Sequence, residues 1–173
     1  MTEENNNLNN IYQEKALYDS KYNSSKLSIL FPKDLSNDKL VEAMTATEIE
    51  CLKSGKAYLN DVIHSPKFDT SKPYLIPRVL HQTYKDRCVH PAIAHLSNNW
   101  IGTLGHKYDF MFFDDDAMNA MLYDEDRWKD TFPSLNAAIR CIDKVNNPTM
   151  KSDIWRYLQL WEHGGIYADI DTR

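Results

Sequence analysis

The sequence predicts an α/β layered domain with a largely parallel sheet, entered through a helical segment and a polar extension, and two observations point to it. Beyond residue 74, short apolar runs alternate with stretches of helical periodicity, the pattern that favours strands joined by crossover helices. Two of those runs, "YDFMFFDDD" and "GIYADID", end in carboxylates. In open α/β sheets, ligands bind beyond the carboxyl ends of the strands, so these acids are expected at a common edge.

In chain order, residues 1–35 are rich in Asn, Ser, Lys and Tyr and carry no period, which predicts a flexible extension. Over 36–63, Leu40, Val41, Met44, Cys51, Leu52, Leu59, Val62 and Ile63 recur near helical spacing, and a helix or helix pair is expected, with Gly55 as its weak point. "HSPKFDTSKP" has two prolines among turn formers, which makes 64–73 a linker to a domain over 74–173. There "IPRVLHQTY" is the first strand. Pro91 suits a helix start, with Ile93, Leu96, Trp100 and Leu104 on one face. "YDFMFFDDD" is the second strand. Helices follow over 115–122, 133–144 and 150–163, and "GIYAD" is the last strand.

Composition excludes several classes. With 20 basic and 25 acidic residues and no basic stripe, a nucleic-acid partner is not expected. No apolar run approaches the roughly 18 residues of a membrane span, and "MTEENNNLNN" lacks the pattern of a signal peptide. Cys51, Cys88 and Cys141 are odd in number and without Cys-x-x-Cys spacing. Three buried thiols are expected, with one lumenal disulfide as the alternative.

The final stretch, "KSDIWRYLQLWEHGGIYADIDTR", carries most of the chemistry. Asp-x-Asp occurs three times, at Asp114/Asp116, Asp124/Asp126 and Asp169/Asp171, so the flanks decide which matters. Asp124/Asp126 is expected in a solvated helix end or loop. Asp114 precedes "AMNAML" and suits an N-cap, with a nucleotide contact at the strand end as the alternative. Before Asp169, Ile154, Leu158 and Trp161 are expected to pack on the sheet, and Trp155 is read as core as well. Asp153 and Arg156, three apart, neighbour each other on the helix. His163 closes that helix, and Gly164-Gly165 frees the backbone to turn into a strand. In an extended strand Asp169 and Asp171 point the same way while Ile170 faces the core. Two converging carboxylates repel unless a cation sits between them, and a hard ion, Mn²⁺ or Mg²⁺, suits oxygen ligands and phosphate. His81 and Gln82 are expected to pack at the end of the first strand, with ligand contact as the alternative.

"IPRVLHQTYKD", "FFDDD" and "SDIWRYLQLWEHGGIYADID" resemble the glycosyltransferase family with a DXD sugar-binding region, of the family 32 type, which includes yeast initiating α-1,6-mannosyltransferase and inositol-phosphoceramide mannosyltransferases. The resemblance covers Ile76 to Arg173. It implies an incomplete GT-A, Rossmann-like nucleotide-sugar-binding domain. It also implies a retaining, metal-dependent hexosyltransferase that moves mannose from GDP-mannose, or a hexose from a UDP-sugar, to a glycan or glycolipid acceptor on the lumenal side of the Golgi membrane. By position, Asp169 and Asp171 serve the metal, Asp169 also the donor, and Asp153 and Arg156 the donor sugar or phosphate at the catalytic centre. By the same resemblance, Tyr84 would stack on the nucleotide base.

Two rivals follow from the same residues. A haloacid-dehalogenase-type phosphatase needs Asp-x-Asp-x-Thr, whereas Thr172 follows Asp171 directly. A non-catalytic donor-binding module keeps the fold without turnover. The chain is expected to be the N-terminal part of a longer protein, since strands beyond Asp171 are needed to finish such a sheet. This part alone is expected to be weakly active or inactive.

Overall fold

The computed structural model describes residues 29–64 and 75–172. Its strands are β1 (Ile29–Leu30), β2 (Ala57–Leu59), β3 (Val62–His64), β4 (Val79–Thr83), β5 (Cys88–Val89), β6 (Asp109–Phe113) and β7 (Ile166–Tyr167). Its α-helices are α1 (Asp38–Val41), α2 (Ala46–Lys53), α3 (Pro91–Leu104), α4 (Asp115–Leu122), α5 (Glu125–Trp128), α6 (Leu135–Lys144) and α7 (Pro148–His163). A 3₁₀ turn spans Pro32–Ser36. The linker expected over 64–73 falls outside the described residues apart from His64, as does most of the expected extension. What is described of that extension is ordered into β1 and the start of the 3₁₀ turn.

The strands form two sheets rather than one. A three-stranded sheet, β1-β2-β5, is antiparallel throughout, and a four-stranded sheet has the order β3-β6-β4-β7. In the second, β4 runs parallel to β6, from Val79 opposite Asp109 to Thr83 opposite Phe113, and parallel to β7, with Leu80 opposite Ile166. β3 joins antiparallel at the edge. Parallel pairing is therefore confined to the three strands that carry the site.

Alternation along β4 and β6 divides the core. Leu80, Phe110 and Phe112 enter one cluster with Ala57, Leu59, Val89 and Ala94, against which Ile93, Trp100 and Leu104 of α3 pack. Phe113 packs against the other cluster, built from Met118, Leu122, Trp128, Ile139, Trp155 and Leu158. The four-stranded sheet thus has α3 on one face and α7 with α4 on the other, the layering that buries both faces of parallel strands.

The expectation of a helix running to Ile63 fails. A capping box at Thr45 and Glu48 starts α2, and Gly55, at φ +81°, follows its end. Beyond that turn, Ala57 and Leu59 are fully buried with Tyr58 between them, a period of two that the apolar spacing of so short a stretch did not separate from a helix. The thiol expectation fails as well. Cys51 of α2 and Cys88 of β5 form a disulfide, with Cα atoms 5.7 Å apart, and Cys141 is exposed. The alternative of one disulfide is the one realised.

Candidate donor-binding site

The carboxyl ends of β6, β4 and β7 lie side by side, and each delivers acidic or aromatic residues to one edge. At the β6 end, Asp114 caps α4 by accepting the Ala117 amide at 2.9 Å. Its carboxylate also receives the Arg87 guanidinium, with Nε 2.6 Å from Oδ2. Arg87 is shared with Asp61 and reaches the Leu59 carbonyl at 3.4 Å. The helix-capping role read for Asp114 holds, and its lone pairs are spent on structure. Next to it, partial burial and the charges of Asp114 and Asp86 hold the Asp115 carboxyl above its usual range.

The β7 end is built differently. Helix α7 ends at His163, and Gly164 (φ +64°) and Gly165 (φ +87°) turn the chain into β7. Both positions also need glycine for space. A Cβ on Gly164 would meet Pro77 Cδ at 2.8 Å, and one on Gly165 would meet the Val79 carbonyl oxygen at 2.5 Å. The double glycine therefore lets β7 lie against β4.

Beyond β7, four side chains meet. Arg156 Nη2 stands 3.0 Å from Asp153 Oδ1 and 3.7 Å from Asp169 Oδ1. Its guanidinium carbon lies 4.6 Å from the centre of the Tyr167 ring, a cation–π arrangement. The Tyr167 hydroxyl donates to Asp169 Oδ1 at 2.6 Å, and burial together with that carboxylate pushes the phenol well above its ordinary range, so it stays a donor. The carboxylates remain open to solvent, with side-chain exposures of 54% for Asp153 and 49% for Asp169. Arg156 Nε is buried without a hydrogen-bond partner among the described residues, an unspent donor behind an accessible pair of carboxylates.

Of the residues singled out from sequence, the structure brings Asp153, Arg156 and Asp169 together. Tyr167 is the member that sequence reasoning missed. Its signal was present: it precedes Asp169 by two residues and so shares its side of an extended segment. Arg87 carried no signal, because its partners Asp61 and Asp114 are remote in sequence. Tyr84 is half-buried, packs against the first core cluster, and donates its amide to the Phe113 carbonyl at 3.2 Å. It stands directly after β4.

The expected alternation of Asp169 and Asp171 is corrected. The Thr172 amide donates to the Asp169 carbonyl at 3.1 Å and the Thr172 hydroxyl to the same oxygen at 2.7 Å. These bonds fold Asp169 to Thr172 into a turn, so a period of two does not apply there. Ile170 is buried as expected, and Asp171 projects as an exposed residue of the turn. Trp100 of α3 donates to the Thr172 carbonyl at 3.2 Å and fixes the turn from the other layer. The expectation for Trp161 also fails. Trp161 is 69% exposed, while Trp155, Leu158 and Gln159 take the buried face.

Among the described residues, no three His, Cys, Asp or Glu side chains converge on a metal position. Asp169 and Asp171 are both solvent-accessible carboxylates, the ligand type that a hard cation takes alongside water and phosphate oxygens.

A sequence model of the family described as "glycosyltransferase sugar-binding region containing DXD motif" matches residues 77–173. The chain belongs to that family. The matched span starts just before β4 and includes all four residues of the β7 cluster. It is 30% identical over 105 residues to a mannosyl phosphorylinositol ceramide synthase of Saccharomyces cerevisiae, covering 60% of this chain and 25% of the relative. It is 26% identical over 109 residues to the initiation-specific alpha-1,6-mannosyltransferase of the same yeast, covering 61% and 21%. Inositol phosphoceramide mannosyltransferase 3 of Schizosaccharomyces pombe is 21% identical over 118 residues, covering 65% and 29%. The chain therefore spans about a quarter of the length of these relatives. No solved structure matches it. The mixed α/β layering is consistent with a GT-A-like glycosyltransferase domain.

Proposed function

We propose that the chain carries the donor side of a retaining, metal-dependent hexosyltransferase that uses a nucleoside diphosphate sugar, with GDP-mannose as the preferred donor and UDP-hexoses as alternatives. The observation that carries this reading is the cluster of Asp153, Arg156, Tyr167 and Asp169 at the carboxyl end of β7, within the stretch that defines the family. The relatives named as mannosyltransferases support the choice of sugar. A glycan or glycolipid is the proposed acceptor.

Each residue has a role that its chemistry allows. Asp153, exposed and oriented by Arg156, accepts hydrogen bonds from donor sugar hydroxyls. Arg156 offers donors to the sugar or the diphosphate, where charge grows as the glycosidic bond lengthens; a fixed cation aimed there stabilises the transition state more than the ground state. Tyr167, donating its hydroxyl to Asp169 Oδ1, holds that carboxylate in place. Asp169 and Asp171 would hold Mn²⁺ or Mg²⁺, and Tyr84 offers an aromatic face to the base. When bound, the metal supplies positive charge to the diphosphate leaving group.

The Cys51–Cys88 disulfide supports placement in an oxidising compartment, and the Golgi lumen is proposed. No helix of the described residues is long and apolar enough to cross a membrane.

Calorimetric titration of the full chain with GDP-mannose and UDP-glucose, with Mn²⁺ and then with chelator, tests the reading. Saturable binding that weakens at least about tenfold, roughly 1.4 kcal/mol, on chelation or in Asp171→Ala is expected. Release of free hexose in the same samples separates an enzyme from a donor-binding module. Failure to bind any nucleotide sugar, or binding indifferent to metal, overturns the proposal.

A further inference from the structure

His81 lies in the middle of β4, 2% exposed, and the roles proposed above do not use it. Its Nε2 is 3.0 Å from the Gly164 carbonyl oxygen, the first carbonyl after α7. Its Nδ1 is 3.3 Å from Gln159 Nε2, itself buried on α7. Its backbone carbonyl accepts the Ala168 amide at 3.1 Å. One residue therefore grips the chain on both sides of the double-glycine turn.

The partners define the tautomer. A carbonyl can only accept, so Nε2 carries the proton, and Nδ1 is left to accept from the Gln159 amide. Both ring nitrogens are then satisfied in a neutral imidazole. Burial, which pushes this imidazole down to about 4, favours the same neutral form. Gly164 and Gly165, both at positive φ, carry no side chain to restrict the backbone and stand two to five residues before Tyr167 and Asp169. A turn of that kind needs an external constraint to present its strand in one attitude.

We propose that His81, held by Gln159, is a positioning residue for the donor site: its Nε2–H to Gly164 bond fixes the turn that aims Tyr167 and Asp169. This rests on the donor-site reading of Asp169, and the test separates the two. In His81→Gln the side-chain amide can reach the former Nε2 position and donate to Gly164. In His81→Asn the amide is too short to do so and keeps only the Gln159 side. Amide hydrogen exchange at Ala168 and affinity for GDP with Mn²⁺ are measured in both, beside the parent protein.

Exchange at Ala168 about tenfold faster, and GDP–Mn²⁺ binding about tenfold weaker, are expected in His81→Asn. His81→Gln is expected within about threefold of the parent in both. Equal losses in the two variants, in proportion to their melting temperatures, overturn the proposal. If the parent binds no GDP, the donor reading fails and the exchange measurement alone decides the positioning role. Should His81→Asn not fold, ¹⁵N spectra of the imidazole in the parent and in Gln159→Met decide. The Nε2–H tautomer in the parent, with loss of a single tautomer in the variant, supports the proposal; a parent Nδ1–H tautomer overturns it.

Discussion

The ends of β6 and β7 flank β4 and both deliver carboxylates to one edge, yet they do opposite things. Asp114 is consumed by its surroundings: it caps α4 and neutralises Arg87, which also binds Asp61. Asp169 has a phenol and a more distant guanidinium, keeps half of its side chain in solvent, and is followed by the exposed Asp171. A carboxylate whose lone pairs are filled supports the fold, and one left partly open is available to a ligand. Partner count, rather than the Asp-x-Asp spacing, separates the two ends.

The largest expected effect comes from removing the turn that makes the β7 end. Gly165→Ala puts a Cβ into the Val79 carbonyl at a positive φ, and a loss of about 3 kcal/mol or more in urea denaturation is expected. Acid acts on the same turn. The buried His81 titrates near 4 against an ordinary 6.5, so the unfolded chain binds the extra proton first. Its stabilising contribution is complete above pH 6.5 and is lost as pH falls from 6.5 toward 4, by about 3 kcal/mol in total. Denaturation midpoints measured across that window in the parent and in His81→Gln check the slope, which the variant should lack.

Asp114→Ala should cost about 2 kcal/mol, from the lost cap and the half-buried Arg87 left with one carboxylate fewer. Thermal unfolding reads it, and nucleotide affinity should follow stability only. Asp171→Ala is the smallest in stability, under about 0.5 kcal/mol as an exposed turn residue, and the largest in Mn²⁺-dependent donor binding. A reversed pair of outcomes would break the comparison, showing the β6 end to be the ligand site.

Long, strongly periodic elements were legible. α3, β6 and α4 lie where apolar spacing, Pro91 and the Asp114 cap put them, because each signal is local to its own segment. The three-residue strands β2 and β3 were not, since Val62, Ile63 and Leu59 fit either period, and their pairing depends on β1, β5 and β6 far along the chain. At the site, Asp153 next to Arg156 followed from helix geometry. The turn at Asp169 did not, because it depends on Thr172 and on a bond from Trp100, a residue of another layer. Largely parallel pairing described only part of the molecule, as the three-stranded sheet is antiparallel throughout and β3 joins the four-stranded sheet antiparallel.

The cystine has a topological consequence. Cys51 and Cys88 lie on opposite sides of residues 65–74, so the bridge closes a loop that contains the whole junction between the two halves of the chain. A peptide bond cut anywhere inside that loop leaves both pieces covalently joined. A nicked chain would migrate as one band until reductant is added and as two afterwards, and the small antiparallel sheet, which takes strands from both sides of the cut, would keep its partners.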